Sequence, residues 1–288
     1  MPMEIDRKEL KRRAKESMSL SNPSFWLVTL VYLLMTTGVS SLASFAPGIL
    51  GGFLSIALTL YAWVVGFSYR LWSLWTARRL DPGLGSLMDG FSVAGRVILL
   101  ELGILVRIMG WTMLLSFAMA FLMMASQSVA LSIVLMLVVV LAVNIISLRY
   151  SLSYYVLADY PDLGPSIAIA HSVRLTRGWI MELVKLHLSF AGWYILSYVL
   201  ALVGIAVGTV FGGGMAALAA FSPEQFIAQI GAMEITTTAV LLSHLISLPV
   251  TLYFTPYLEV TMAEFYNARI NLGDNMADPL GGMQMPPV

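Results

Sequence analysis

Arg107, Arg149, Glu182, Lys185 and Glu259 are the residues whose type and setting could do chemistry in this chain. Each is charged and stands within or beside a long apolar stretch. A charge held at membrane depth is costly, so it marks a partner or a task. Glu182 and Lys185 are three apart, the spacing at which side chains on one helix face meet. Ser189 and Gly192 continue that stripe. With Glu101 added, the set is close to neutral. It could line a polar cavity, open to the cytoplasm, that binds a headgroup or a small polar solute. It could equally tie helices together or reach out to the interface. Both readings stand at this point. Nucleophile, base and acid cannot be assembled from these spacings, so no enzyme and no catalytic residue is expected.

Other positions bear on packing. Gly204, Gly208 and Gly212 recur every four residues, continued by Ala216 and Ala220. Small residues at this period let two helix backbones approach closely. The partner could be the chain's own last span, which is preferred, or a second subunit. Pro249 and Pro256 lie nearly on one face, and each removes a backbone donor and frees a carbonyl one turn earlier. They are candidate helix breaks of the kind that build solute sites, or ordinary kinks. His171, His187 and His244 show no metal-ligand spacing. With no cysteine in the chain, disulfides, thiolate chemistry and Cys-based metal sites are excluded. No phosphate loop, dinucleotide fingerprint, nucleophile elbow or zinc motif appears. No metal or cofactor is expected.

The elements that must position these residues follow from composition. Hydrophobic residues make up 59% of the 288 and charged residues only 11%, against roughly 25% charged in a soluble domain. In water such a chain would expose large apolar patches. The expected fold is therefore all-α and integral to a membrane, with the lipid bilayer as its surroundings. A span needs about 20 apolar residues. Residues 24–45 and 46–69 carry no charge and give spans one and two, with a turn at Pro47-Gly48. Residues 108–148 are uncharged and long enough for spans three and four, turning at Ser126-Gln127-Ser128. Span three is expected to start near Arg96, which puts Arg107 roughly 16 Å along it. Span four runs on towards Asp159, span five begins near Trp179, and residues 235–258 form span six.

Lys and Arg set the orientation. The basic residues Arg7 to Lys15, Arg78, Arg79, Arg96, Arg174, Arg177 and Arg269 fall on one side of a six-span arrangement. The turns near Pro47, near Gln127 and across 212–234 hold no Lys or Arg. Six spans as three hairpins, with both ends in the cytoplasm of a cell membrane, are expected. Residues 1–23 are then a basic cytoplasmic segment, 24–268 the membrane domain and 269–288 a disordered tail. The 16 basic and 16 acidic residues cancel, which points away from a nucleic-acid partner.

Three cytoplasmic amphipathic segments precede the hairpins, over 4–18, 83–94 and 165–177. Pro165 suits a first helical turn and Gly178 a helix stop. Asp81-Pro82-Gly83-Leu84-Gly85 is similar to Asp159-Tyr160-Pro161-Asp162-Leu163-Gly164, which suggests a repeated unit. The segments are expected to lie in the inner interface, their cations drawn to anionic lipids. Tyr253, Tyr257 and Tyr266 read as an interfacial belt.

Three stretches carry a family resemblance. One is the basic run Arg7 to Lys15. The second passes from Tyr155-Val156-Leu157-Ala158-Asp159-Tyr160-Pro161 through Ala170-His171-Ser172 and Arg177-Gly178 to Leu188-Ser189-Phe190-Ala191-Gly192-Trp193. The third is Pro256-Tyr257 with Phe265-Tyr266. Together they resemble the prokaryotic integral membrane family known as domain-of-unknown-function family 975, over nearly the whole chain. The Gly/Ala-rich stretch with Ser222-Pro223-Glu224 departs from that family, whose members pass from the tryptophan to the Pro-Tyr pair in fewer residues. The resemblance implies a multispan protein and no particular activity. The function expected is binding or transport of a small amphiphilic or polar solute or lipid. The alternative is a membrane scaffold or assembly partner, alone, as a homo-oligomer or with another membrane protein.

Overall fold

Capping residues set the limits of the short helices. The Asp6 carboxylate accepts the Lys8 N–H at 2.9 Å and opens α1, Arg7–Leu20. Such a cap contributes about 1 kcal/mol. Pro165 opens α7, Pro165–Thr176, at a position where its missing N–H costs nothing. Gly178, at φ +80°, takes the left-handed conformation that stops the segment after Arg177. The limits of α7 match the sequence expectation, whereas α1 opens at Arg7 and runs to Leu20 in place of the expected 4–18. The structure, a computed structural model, describes residues 6–40, 48–126, 129–213 and 237–274.

The described residues form no strand. After α1 come α2, Phe25–Leu33, which runs into a π-helical turn at Leu34–Gly38, and α3, Gly48–Ala77. A 3-10 segment, Leu84–Val93, leads into α4, Ala94–Ser126. Next are α5, Val129–Ser147, a 3-10 turn at Leu148–Tyr150, and α6, Ser153–Asp159. Beyond α7 lie α8, Ile180–Leu188, α9, Ala191–Gly213, and α10, Thr237–Asp274. Five segments are long and apolar enough to cross a membrane: Gly48–Ala77, Leu84–Met124, Leu131–Asp159, Ala191–Thr209 and Thr238–Asn271. The pair Arg7–Leu20 and Phe25–Gly38, bent by 90°, makes a sixth if counted as one span.

The chain divides into two units, Met1–Leu186 with Tyr257–Val288, and His187–Pro256. In the first unit α3 packs against α1, α4, α6 and the 3-10 segment, and α7 against α4 and α6. The Gly90 N–H donates to Ser68 Oγ at 3.0 Å and holds the 3-10 segment on α3. Burial is polarised along the long helices. In α3 every buried residue except Gly51 lies from Val64 onwards. In α4 Val97, Leu100 and Ile104 are buried, while Phe117 and Met124 are 78% and 81% exposed. On α5 the exposed apolar residues run from Leu131 to Ile145. A dry core thus sits at one end, and apolar side chains cover the outside of the other.

In the second unit α9 and the first half of α10 meet backbone to backbone. A Cβ on Gly204 would lie 2.7 Å from Ser243 N, and one on Gly208 2.9 Å from Ala239 N. Only glycine admits this approach. Aromatic contacts continue the interface, among them Trp193 on Tyr253 at 5.2 Å and Tyr194 edge-on to Phe254 at 4.7 Å.

Three expectations change, and one of the two alternatives for the prolines drops out. Span five does not run unbroken from Trp179: α8 ends at Leu188 and α9 begins at Ala191, so the stripe Glu182, Lys185, Ser189, Gly192 is interrupted. Pro249 and Pro256 lie inside α10 and do not end it. Hydroxyls of Ser247, Thr251 and Thr261 bond to carbonyls one turn earlier in that helix, the kind of local polar contact by which apolar helices accommodate proline. Tyr257 and Tyr266 are buried, 5% and 1% exposed, so they form no belt. The expected tail begins in helix, since α10 continues to Asp274; residues 275–288, the turn at 127–128 and nearly all of the 212–234 loop lie outside the described residues.

Candidate functional site

The first unit gathers its charges in two layers of opposite character. In the one nearer the end of α3, Arg78 grips Asp159 of α6 through two parallel bonds, 2.6 and 2.7 Å. Arg78 Nε donates to Asn267 Oδ1 at 3.1 Å, and the Tyr266 hydroxyl donates to Asp159 at 2.9 Å. Both carboxylate oxygens and three of the five guanidinium N–H groups are thereby engaged. A bidentate pair of this kind locks geometry. It ties α3, α6 and α10 together.

Two turns earlier on α3 stands Arg70. Its Nη1 lies 3.9 Å from Glu101 of α4 and its Nε 3.7 Å from Glu259 of α10. Both separations exceed a normal N–H···O bond of roughly 2.7–3.2 Å. The guanidinium lies over the Tyr154 ring, 3.9 Å from its centre. Each carboxylate instead accepts a tyrosine hydroxyl at 3.0 Å, Glu101 from Tyr154 and Glu259 from Tyr155. On the other side Tyr32 stacks on Tyr69 at 4.1 Å, and Tyr69 shares a 2.8 Å bond with Thr29. The three charged side chains are 29%, 16% and 23% exposed for Arg70, Glu101 and Glu259. Among the described residues the Arg70 guanidinium makes no hydrogen bond in a largely enclosed place, whereas all three nitrogens of Arg78 donate.

α1 lies beside this charged end. It buries Leu10, Ala14, Ser17 and Met18, so its apolar stripe faces protein rather than a lipid interface. Its charges are largely spoken for. Arg79 bonds to Glu16 at 2.9 Å, Arg7 lies 3.7 Å from Glu182, and Lys15 sits over the Tyr257 ring at 5.3 Å. Hydrogen bonds from Arg12 and Arg13 hold the Glu9 carboxyl down at about 2. In α7, burial and then the neighbouring Arg174 charge push His171 below its ordinary value.

The family model described as protein of unknown function (DUF975) matches residues 1–271. The chain belongs to that family. No curated protein and no solved structure matches it. In this DUF975 protein several residues that carried the resemblance hold the charged end together. Asp159 is the partner of Arg78, Tyr155 reaches Glu259, Tyr266 reaches Asp159, and Ser172 donates to the Arg149 carbonyl at 2.7 Å.

Of the six charges singled out by type and setting, Glu101 and Glu259 enter the Arg70 cluster. Arg107 donates to Gly103 O of its own helix at 2.8 Å and is exposed. Arg149 is exposed too, and its contribution is its backbone carbonyl. Glu182 and Lys185 pair at 2.6 Å on α8, as their spacing implies, away from the cluster. Gly212 lies in the last turn of α9. Among the described residues no group of His, Asp or Glu could hold a metal ion. Arg70 itself escaped notice because the uncharged run 46–69 stops one residue before it. Its signal was present in Tyr69, Trp72 and Trp75, which prolong the apolar pattern past the charge.

Proposed function

We propose that this DUF975 chain is a multi-pass protein of the cell membrane that binds or moves a small amphiphilic or polar solute or a lipid. In this reading it has six spans in three hairpins, both termini are cytoplasmic, and no bond is made or broken. The exposed apolar halves of α3, α4 and α5 support membrane insertion, since water would leave them uncovered. The observation that carries the binding reading is Arg70, a guanidinium standing off from two carboxylates with no hydrogen bond among the described residues, two turns from an arginine whose three nitrogens all donate. A purely structural charge is held as Arg78 is. A scaffold loses its main motive, because Gly204 and Gly208 are occupied by the chain's own α10.

Native mass spectrometry of the protein released from detergent tests the reading. The wild type is expected to carry a small molecule that Arg70→Ala and Glu259→Gln lose. An empty wild type, or an adduct that survives both changes, overturns it. Reporters fused at the two termini test the topology, and opposite sides would refute it.

A further inference from the structure

Most arginines of the first unit are answered from within the chain. Arg7, Arg12, Arg13, Arg70, Arg78, Arg79 and Arg96 each have a carboxylate within 4 Å. Arg107 and Arg149 have none among the described residues. Arg107 donates to Gly103 O of its own helix, and Arg149 is held through its backbone carbonyl. Both side chains are exposed. Arg174 and Arg177 lack a carboxylate too, but they close α7, outside the apolar helices.

Arg107 and Arg149 stand at one level. α4 and α5 are joined by two residues and pack on each other. From Arg107 to the end of α4 at Ser126 are 19 residues, and from the start of α5 at Val129 to Arg149 are 20. Each arginine therefore lies ~30 Å from the joined ends, which is the thickness of a hydrocarbon core. With those ends at one face of a bilayer, both guanidiniums fall at headgroup depth on the other. One turn of α7 bridges them. A Cβ on Gly103 would meet Ile169 at 3.0 Å and Arg107 Nη1 at 3.2 Å, while Ser172 donates to the Arg149 carbonyl.

Towards the joined ends the surface is apolar. Met109 and Met113 on α4 and Leu141 and Ile145 on α5 are exposed, as is Trp111. Two cations at the edge of hydrocarbon need an answering charge. The chain supplies no carboxylate there, and lipid phosphate is at hand. A guanidinium fork matches phosphate oxygens. A zwitterionic lipid brings its own cation to the same place, whereas a headgroup of net negative charge cancels the excess.

We propose that Arg107 and Arg149 form a site for one anionic glycerophospholipid, its phosphate between the two guanidiniums and its acyl chains along α4 and α5. The site is separate from the Arg70 cluster and does not depend on what binds there.

The test uses the full chain in phosphatidylcholine vesicles, with phosphatidylglycerol brominated near the glycerol end of its chains as probe. Brominated phosphatidylcholine at the same mole fraction is the reference. Bromine quenches tryptophan in contact with it, and Trp111 lies one turn from Arg107. The difference between wild type and Trp111→Phe isolates its emission. Quenching by the anionic probe is expected to saturate, to be reversed by unlabelled phosphatidylglycerol, and to exceed that by the reference several-fold. Arg107→Gln and Arg149→Gln should each weaken it about fivefold, the worth of one surface cation. Arg12→Gln, whose guanidinium is held by Glu9, should leave it unchanged. Should Arg107→Gln fail to fold, Arg149→Gln, which alters an exposed side chain, decides alone. Quenching that rises in proportion to mole fraction, is equal for the two lipids, or persists in the arginine variants overturns the proposal. So does inorganic phosphate that restores the emission, since a free anion would then suffice. In native mass spectrometry, a phospholipid adduct lost in Arg107→Gln and kept in Arg70→Ala belongs to this site and not to the cluster.

Discussion

Gly204→Ala should loosen the second unit, and the size of the effect can be worked from the helix contact. The new methyl carbon would lie 2.7 Å from Ser243 N, where ordinary contact begins at 3.4 Å. The backbones of α9 and α10 must then part by well over half an ångström. A gap of ~0.5–1 Å forfeits a quarter to a half of the dispersion well of each contact along the seam. Overpacking of this kind costs about 1–3 kcal/mol. Gly110→Ala is the matched control: a Cβ there meets nothing within 4 Å, and it too sits inside a long helix. It should gain up to about 1 kcal/mol from helix propensity alone. The two variants should therefore differ by roughly 2–3 kcal/mol, read as a Tm difference of about 5–10 °C in one detergent. Gly208→Ala should follow Gly204→Ala. If Gly204→Ala melts with Gly110→Ala, the close approach does not exist, and the glycine ridge is free to meet another chain.

Asp159→Ala strips the Arg78 guanidinium of its bidentate partner and should destabilise by about 2–4 kcal/mol, less than a fully buried pair because Arg78 is partly exposed. Arg149→Gln, changing an exposed side chain, should stay within about 0.5 kcal/mol in the same melting assay. Arg79 holds φ +57° at the end of α3, with Leu80 N bonding back to Trp75 O, so Arg79→Gly should be more stable than Arg79→Ala by about 1 kcal/mol. Both lose the Glu16 bond, so their comparison isolates the backbone. His171 has a folded pKa below its ordinary 6.5. The unfolded chain thus binds more protons, and stability is full above 6.5 and falls as pH drops through that value. Melting from pH 8 to 5 should show this decline, and His171→Gln should reduce it.

The helical class and most element limits were legible because they rest on local rules. Pro165 and Gly178 bracket α7, and long uncharged runs mark the apolar helices. Charge was a poorer guide. Ending a span at its first charge cut α3 at Tyr69 and hid Arg70, although the buried face formed by Val65, Tyr69 and Trp72 continues past it. Charges deep in apolar sequence drew attention to Arg107 and Arg149, but depth along one helix says nothing about what stands opposite. Arg70 matters through Glu101, Tyr154 and Glu259, which lie on three other helices. Spacing along the chain carries no record of such meetings. The pair Glu182 and Lys185 was legible for the converse reason, because both lie on one helical turn.

The placement of α1 has a consequence for how the chain is made. Translation produces this helix before its anchoring partners Arg79, Glu182 and Tyr257. At ribosomal speeds of about 5–20 residues per second, the last of them trails by ~10–50 s. Until α3 follows, Leu10, Ala14 and Met18 lack that packing partner, and the cover given by the later segments comes last. A helix made before all of its partners is anchored fully only after Tyr257 has arrived, which makes it a reporter of assembly: a protease site placed there should become fully protected only at that stage.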